Sequence, residues 1–227
     1  TTISPYLFFW QTSQEVEESI LKGQTSIKLR QETVSDKEIK LMRQDVWSGM
    51  FLSNLVMFFI IAATAATLFA NGITNIPTVA EAAAALRPIA GEHAYLLFTL
   101  GVIGTGMLAI PVLAGSASYA MSESFGWKTG LYRKLKEANA FYGIIIISTF
   151  LGVALNFVGI DPIKALIFAA VVNGIVAPVI LVLIVLLSSN KKVMGDRVNH
   201  PIATVLGLLI TGLMALAGIA TIFFFFL

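Results

Sequence analysis

The stretch Thr1-Thr2-Ile3-Ser4-Pro5-Tyr6-Leu7-Phe8-Phe9-Trp10-Gln11 sets polar side chains and a proline inside an otherwise apolar segment. Proline has no backbone donor and its ring clashes with the preceding turn, so a regular helix does not run undisturbed through Pro5. It favours the first turn of a new helix instead. A half-helix starting near Ser4 leaves the carbonyls of Thr1, Thr2 and Ile3 without helical partners, and unwound carbonyls of this kind bind cations inside membranes. A proline kink, or a plain helix start, accounts for the same pattern with no chemistry attached.

Few other residues offer chemistry. Asn173, beside Gly174 and Pro178, is an amide inside an apolar run, where an unpaired polar group is costly. It either lines an ion path or makes an interhelical hydrogen bond. Asn54 stands in the same position, and Asn156 reads as interfacial. Glu15, Glu17 and Glu18 either gather cations electrostatically or form an exposed, solvated helix end. Gly101, Gly104, Gly106 and Gly115 suit close helix packing. There is no cysteine, and the two histidines, His93 and His200, fall in predicted loops, so a thiolate or imidazole metal site within the membrane is excluded. A membrane-embedded enzyme would need a nucleophile, a base or a metal cluster in the apolar runs, and they hold no His, Cys, Asp, Glu, Lys or Arg.

The elements that must position these residues are membrane helices. No Asp, Glu, Lys or Arg occurs between Asp45 and Glu81, His93 and Glu123, Glu137 and Asp161, Lys164 and Lys191, or after His200. A bilayer core of about 30 Å needs roughly 20 helical residues. The runs predict spans near 50–74, 94–122, 139–158, 165–188 and 202–227, with a half-helix at 1–12 and a loop at 13–49. With 57% hydrophobic and 12% charged residues, a water-facing exterior is excluded. Thirteen of the fifteen basic residues lie in segments 13–49, 123–138 and 189–200; only Arg87 and Lys164 lie in the loops between. The positive-inside rule places those three segments in the cytoplasm, where anionic lipid headgroups suffice as partners. Ser35-Asp36-Lys37-Glu38 has the spacing of a capping box and predicts a short helix running toward Trp47, an interfacial anchor like Trp127. Val79 to Leu86 predicts a surface helix ended by Pro88 and Gly91. Pro111 predicts a kink. Both ends read as truncated, and Thr1 to Thr12 lacks the charged start of a signal peptide.

Residues 1–12 resemble the sixth transmembrane segment of the Nramp (natural resistance-associated macrophage protein) family, approximately A-T-V-M-P-H-N-L-Y-L-H-S, with Pro5 on the family proline. Asn54 in Phe51-Leu52-Ser53-Asn54-Leu55 resembles the asparagine of the family's seventh helix. Leu113-Ala114-Gly115 is similar to the small-residue patch of the eighth, and Ser189-Asn190-Lys191-Lys192-Val193-Met194-Gly195 to the loop after the tenth. The similarity runs from the middle of the sixth helix to the eleventh.

The resemblance implies an all-α polytopic membrane helix bundle, the second half of a LeuT-type inverted-repeat transporter fold, in the plasma (inner) membrane. It implies transport of divalent cations of the Mn2+, Mg2+ and Fe2+ class by alternating access, with the metal as substrate, no cofactor and no nucleic-acid partner. On this alignment the Thr1 carbonyl and Ser4 are metal ligands, and Pro5, Tyr6, Gln11, Asn54 and Asn173 lie along the path. Ser4 replaces the family methionine, exchanging a soft thioether for a hard hydroxyl and favouring harder ions. Tyr6 and Gln11 replace two histidines, the side chains suited to proton transfer near neutral pH, so proton coupling through this helix is not expected. These departures resemble the Nramp-related magnesium transporters. The family's D-P-G-N motif lies in its first helix, so the remaining ligands belong to an N-terminal half. A secondary transporter of amino acids or other small organic solutes with the same fold is the alternative.

Overall fold

The computed structural model describes residues 4–226 apart from 75, 77 and 85. Among them the regular elements are helices, and they group into two compact units: one of residues 9–155, the other of residues 156–226 with residues 4–8.

Helix α1 (Pro5–Leu21) starts at the proline. Its far end closes on Gly23, with φ of 87°, where the Gln24 amide donates to the Ser19 carbonyl and the Gly23 amide to Ile20, both at 2.9 Å. That is a Schellman stop, and its left-handed residue suits glycine. Helix α2 (Ile27–Thr33) is capped by Ser26, whose hydroxyl accepts from the Leu29 amide at 3.1 Å. Helix α3 (Asp36–Thr67) opens on the expected capping box: the Glu38 amide donates to Ser35 Oγ at 3.2 Å and the Ser35 amide to Glu38 Oε2 at 2.9 Å.

The structure differs from the sequence expectation after that point. No separate short helix stops near Trp47; α3 continues for 32 residues. Nothing between Asp36 and Thr67 is able to end it. Proline is absent there, and the single glycine, Gly49, costs a helix only about 1 kcal/mol. At about 1.5 Å per residue the helix is about 48 Å long, more than the bilayer core requires. Its apolar part is exposed on all sides, Phe51, Phe58, Phe59, Ile60 and Ile61 included. A helix apolar all round does not face water.

Helix α4 (Val79–Ala84) lies within the expected 79–86 helix, and beyond it Pro88 sits in the first turn of a further short helix, α5 (Arg87–Ala90). Helix α6 (Ala94–Ser124) carries Pro111 inside it. Helix α7 (Asn139–Leu155) has 17 residues and stops three residues before the predicted bound of 158. It packs on α6 through Phe141, whose carbonyl accepts from Ser118 Oγ and whose ring meets Tyr119 edge-on at 4.8 Å.

In the second unit, helix α8 (Pro162–Ser188) begins with Asp161 accepting from the Ile163 amide at 2.8 Å and Pro162 in the first turn. A short α9 (Lys191–Met194), capped by Asn190, leads into α10 (Pro201–Phe226). Helices α8 and α10 run antiparallel in close contact. A β-carbon on Gly207 would lie 2.8 Å from Val185 Cγ2, and one on Gly218 would lie 3.6 Å from the Gly174 carbonyl. Small residues are the usual means of such approach between membrane helices. Asn199 Nδ2 donates to Ser188 Oγ at 2.8 Å, and Ser189 Oγ lies 3.1 Å from Thr204 Oγ1, fastening the turn between them. Among the described residues four helices are long and apolar enough to cross a membrane, and α7 is a shorter apolar helix. The chain is an integral, multi-pass membrane protein.

Candidate functional site

Thr1, the expected carbonyl ligand, lies outside the described residues. Ser4 is 6% exposed and immediately precedes the helix; its carbonyl accepts from the Leu7 amide at 3.1 Å. Pro5, also buried, occupies the first helical position, where a missing N–H costs nothing. Tyr6 and Gln11 are half-buried on the same helix, five residues apart and therefore not on one face.

The two asparagines differ. Asn54 is exposed on α3, and its Nδ2 donates to the Met50 carbonyl at 2.8 Å, a bond within its own helix. Asn173 is half-buried on α8, and its amide has no hydrogen-bond partner among the described residues. Among the described residues it makes no interhelical bond. Among the described residues no group of three or more His, Cys, Asp or Glu is placed to hold a metal ion. The oxygen donors present are hydroxyl, amide and carbonyl groups, a hard set.

The three glutamates at the end of α1 do not share one environment. Glu15 and Glu18 are exposed and border a cavity of about 310 Å3, together with Lys22, Glu38 and Asp45. Lys22 lies 3.9 Å from Glu18 and 3.8 Å from Glu38, with all three side chains open to solvent, so these pairs contribute little. Glu17 is buried, against the expectation of a uniformly exposed helix end.

A polar seam between α1 and α6 accounts for that burial. Trp10 lies against Gly115, where an added β-carbon would be 2.4 Å from the indole Cζ3, and meets the Tyr119 ring edge-on at 6.1 Å. Ser13 Oγ donates to Glu123 at 3.4 Å and Gln14 Nε2 to the Tyr119 hydroxyl at 3.2 Å. Tyr119 in turn donates to Glu17 Oε1. The positions 10, 13, 14 and 17 form one face of α1, and 115, 119 and 123 one face of α6, paired in the same chain direction. Sequence reasoning does not reach the centre of this seam, Tyr119, which lies in an apolar run and looks like any core aromatic. Its only early signal was Gly115, one of four glycines read as packing positions.

These features describe a polytopic bundle of membrane helices with a first helix begun at a proline and sparse oxygen donors. A family model, "Natural resistance-associated macrophage protein-like", matches residues 1–224, and the chain belongs to the Nramp family, whose LeuT-type architecture fits an all-α bundle. It is 26% identical over 187 residues to a divalent metal cation transporter MntH of Deinococcus radiodurans, covering 81% of this chain and 40% of that protein. The MntH of Caldanaerobacter subterraneus is 25% identical over 175 residues, 77% of this chain and 39% of the relative. That of Clostridium acetobutylicum is 24% identical over 198 residues, 85% and 43% respectively. The chain thus spans about two-fifths of the length of these relatives.

Proposed function

We propose that this chain forms part of a carrier that moves divalent cations of the Mn2+, Mg2+ and Fe2+ class across the plasma membrane by alternating access. The metal is the transported substrate, no cofactor takes part, and the protein is not an enzyme. The observation that carries this reading is the start of α1: a buried Ser4 directly before Pro5, in a chain matched from residue 1 to 224 by the family of metal carriers. In this reading the Thr1 carbonyl and the Ser4 hydroxyl hold the ion, and Asn173 faces the path. An amide with no protein partner in a membrane helix is costly unless water or an ion meets it. Further ligands come from an N-terminal half beyond this segment, with which residues 1–227 make one transmembrane domain.

Selectivity follows from Ser4, a hard donor favouring Mg2+ and Mn2+ over softer transition metals. With Tyr6 and Gln11 in place of imidazoles, α1 carries no proton, and uptake proceeds without coupling through this helix. The basic segments 13–49, 123–138 and 189–200 face the cytoplasm. Uptake of Mg2+, Mn2+ and Fe2+ by the full-length protein in vesicles tests the reading. Ser4→Trp is expected to abolish it, and undiminished uptake by that variant refutes the site. A helix N-terminus also suits a carboxylate, so calorimetric titration of the intact protein with metal ions and with amino acids separates a cation carrier from a carrier of organic solutes.

A further inference from the structure

Glu17 is 7% exposed, yet among the described residues no Lys or Arg pairs with it. A buried carboxylate is tolerated only when its oxygens are hydrogen-bonded. The Tyr119 hydroxyl and the Leu131 amide, the latter at 2.8 Å, both donate to Oε1, and the Tyr132 amide donates to Oε2 at 3.3 Å. Tyr119 is therefore shared: its oxygen also accepts from Gln14 at 3.2 Å and from the Leu131 amide at 3.3 Å.

Two of the donors are main-chain amides of the loop between α6 and α7. That loop approaches the carboxylate so closely because position 130 is glycine. Gly130 has φ of 125°, and a β-carbon there would lie 2.4 Å from Tyr132 Cε1 and 3.0 Å from Glu17 Oε1. Arg133, the cation nearest in sequence, is turned elsewhere. Its Nε donates to the Thr129 carbonyl at 3.0 Å and its guanidinium lies 4.9 Å from the Tyr132 ring. The far end of the loop is held by Tyr142, whose hydroxyl donates to the Arg133 carbonyl at 2.8 Å.

We propose that Glu17 is a latch: its buried carboxylate fastens the α6–α7 loop to α1, so that this loop, α6 and residues 9–21 of α1 move as one body. Its bearing on transport rests on the carrier reading above. Glu17 does not touch the ion; it is a positioning residue that sets how the half-helix moves.

Amide hydrogen exchange of the full-length protein reads the latch without any transport measurement. In Glu17→Ala the Tyr132 amide loses its acceptor and the Leu131 amide keeps only the longer bond to the Tyr119 hydroxyl, so exchange in the peptide covering 128–136 is expected to accelerate tenfold or more. Exchange in α8 and α10 stays within twofold of wild type. Exchange at 128–136 within twofold of wild type overturns the latch, and so does equal acceleration in α8 and α10, which marks general destabilisation. If Glu17→Ala does not fold, Glu17→Gln, which keeps one carbonyl oxygen, decides by the same criterion with an expected threefold acceleration. In vesicles, the variant's maximal uptake rate per folded molecule should change at least threefold, with the half-saturating ion concentration within twofold. An unchanged maximal rate overturns the positioning role, as does a shifted half-saturation alone. Absence of divalent uptake by the unaltered protein counts against the carrier reading only, because the exchange result stands without it.

Discussion

Gly115→Ala should destabilise the protein through one contact. The added methyl would lie 2.4 Å from Trp10 Cζ3, with Cε3 and Cη2 at 3.2 and 3.4 Å. Favourable carbon–carbon separation begins at about 3.5 Å, so the indole must retreat by about 1 Å. It has little freedom to do so, being half-buried with its edge against Tyr119, which is itself 2% exposed and stacked edge-on against Phe141. Overpacking of this kind costs about 1–3 kcal/mol, a shift of roughly 5- to 150-fold in the unfolding equilibrium. Reversible unfolding of the full-length protein in mixed detergent micelles measures it. The control is Trp10→Ala, which removes the obstacle. In that background Gly115→Ala should cost less than about 0.5 kcal/mol, giving a coupling of at least ~1 kcal/mol between positions 105 apart in sequence. Wild-type stability for Gly115→Ala refutes the reasoning. An equal cost with and without Trp10 also does, since the penalty would then lie elsewhere.

Two further outcomes follow from the second unit. Gly207→Ala brings a methyl to 2.8 Å from Val185 Cγ2 and should cost about 1–2 kcal/mol by the same unfolding assay, with most of the loss restored by Val185→Ala. Asn173→Val removes an amide that has no hydrogen-bond partner among the described residues, so it should leave stability unchanged or raise it by up to ~1 kcal/mol while divalent uptake falls; lost stability with uptake retained refutes the path assignment.

How much of this was legible in the sequence depended on the range of the interaction. The capping box at Ser35 and Glu38 is a contact across three residues, and residue type at fixed spacing is sufficient to place it. The helix starting at Pro5 was legible for the same reason. Where α3 ends was not: a charged segment followed by an apolar one suggests two elements, but charge does not break a helix, and nothing else between Asp36 and Thr67 does. Asn54 could not be distinguished from Asn173 by type or setting, because the bond from Asn54 to Met50 depends on a rotamer. Glu17 was the least accessible of all. Its partners lie 102, 114 and 115 residues away, two of them are main-chain amides of unremarkable residues, and its neighbours Glu15 and Glu18 are exposed as any glutamate would be.

The length of α3 has a mechanical consequence. Roughly 18 Å of its 48 Å exceed the hydrocarbon thickness, so its charged first turns stand beyond the lipid as a stiff outrigger, sealed at the tip by the Ser35–Glu38 clasp. A rocking of about ten degrees along such a rod sweeps its tip through about 8 Å. The tip also meets Lys22 at the foot of α1, 3.8 Å from Glu38. A slight lean of the membrane part is thereby magnified into a displacement large enough to make or break that exposed contact.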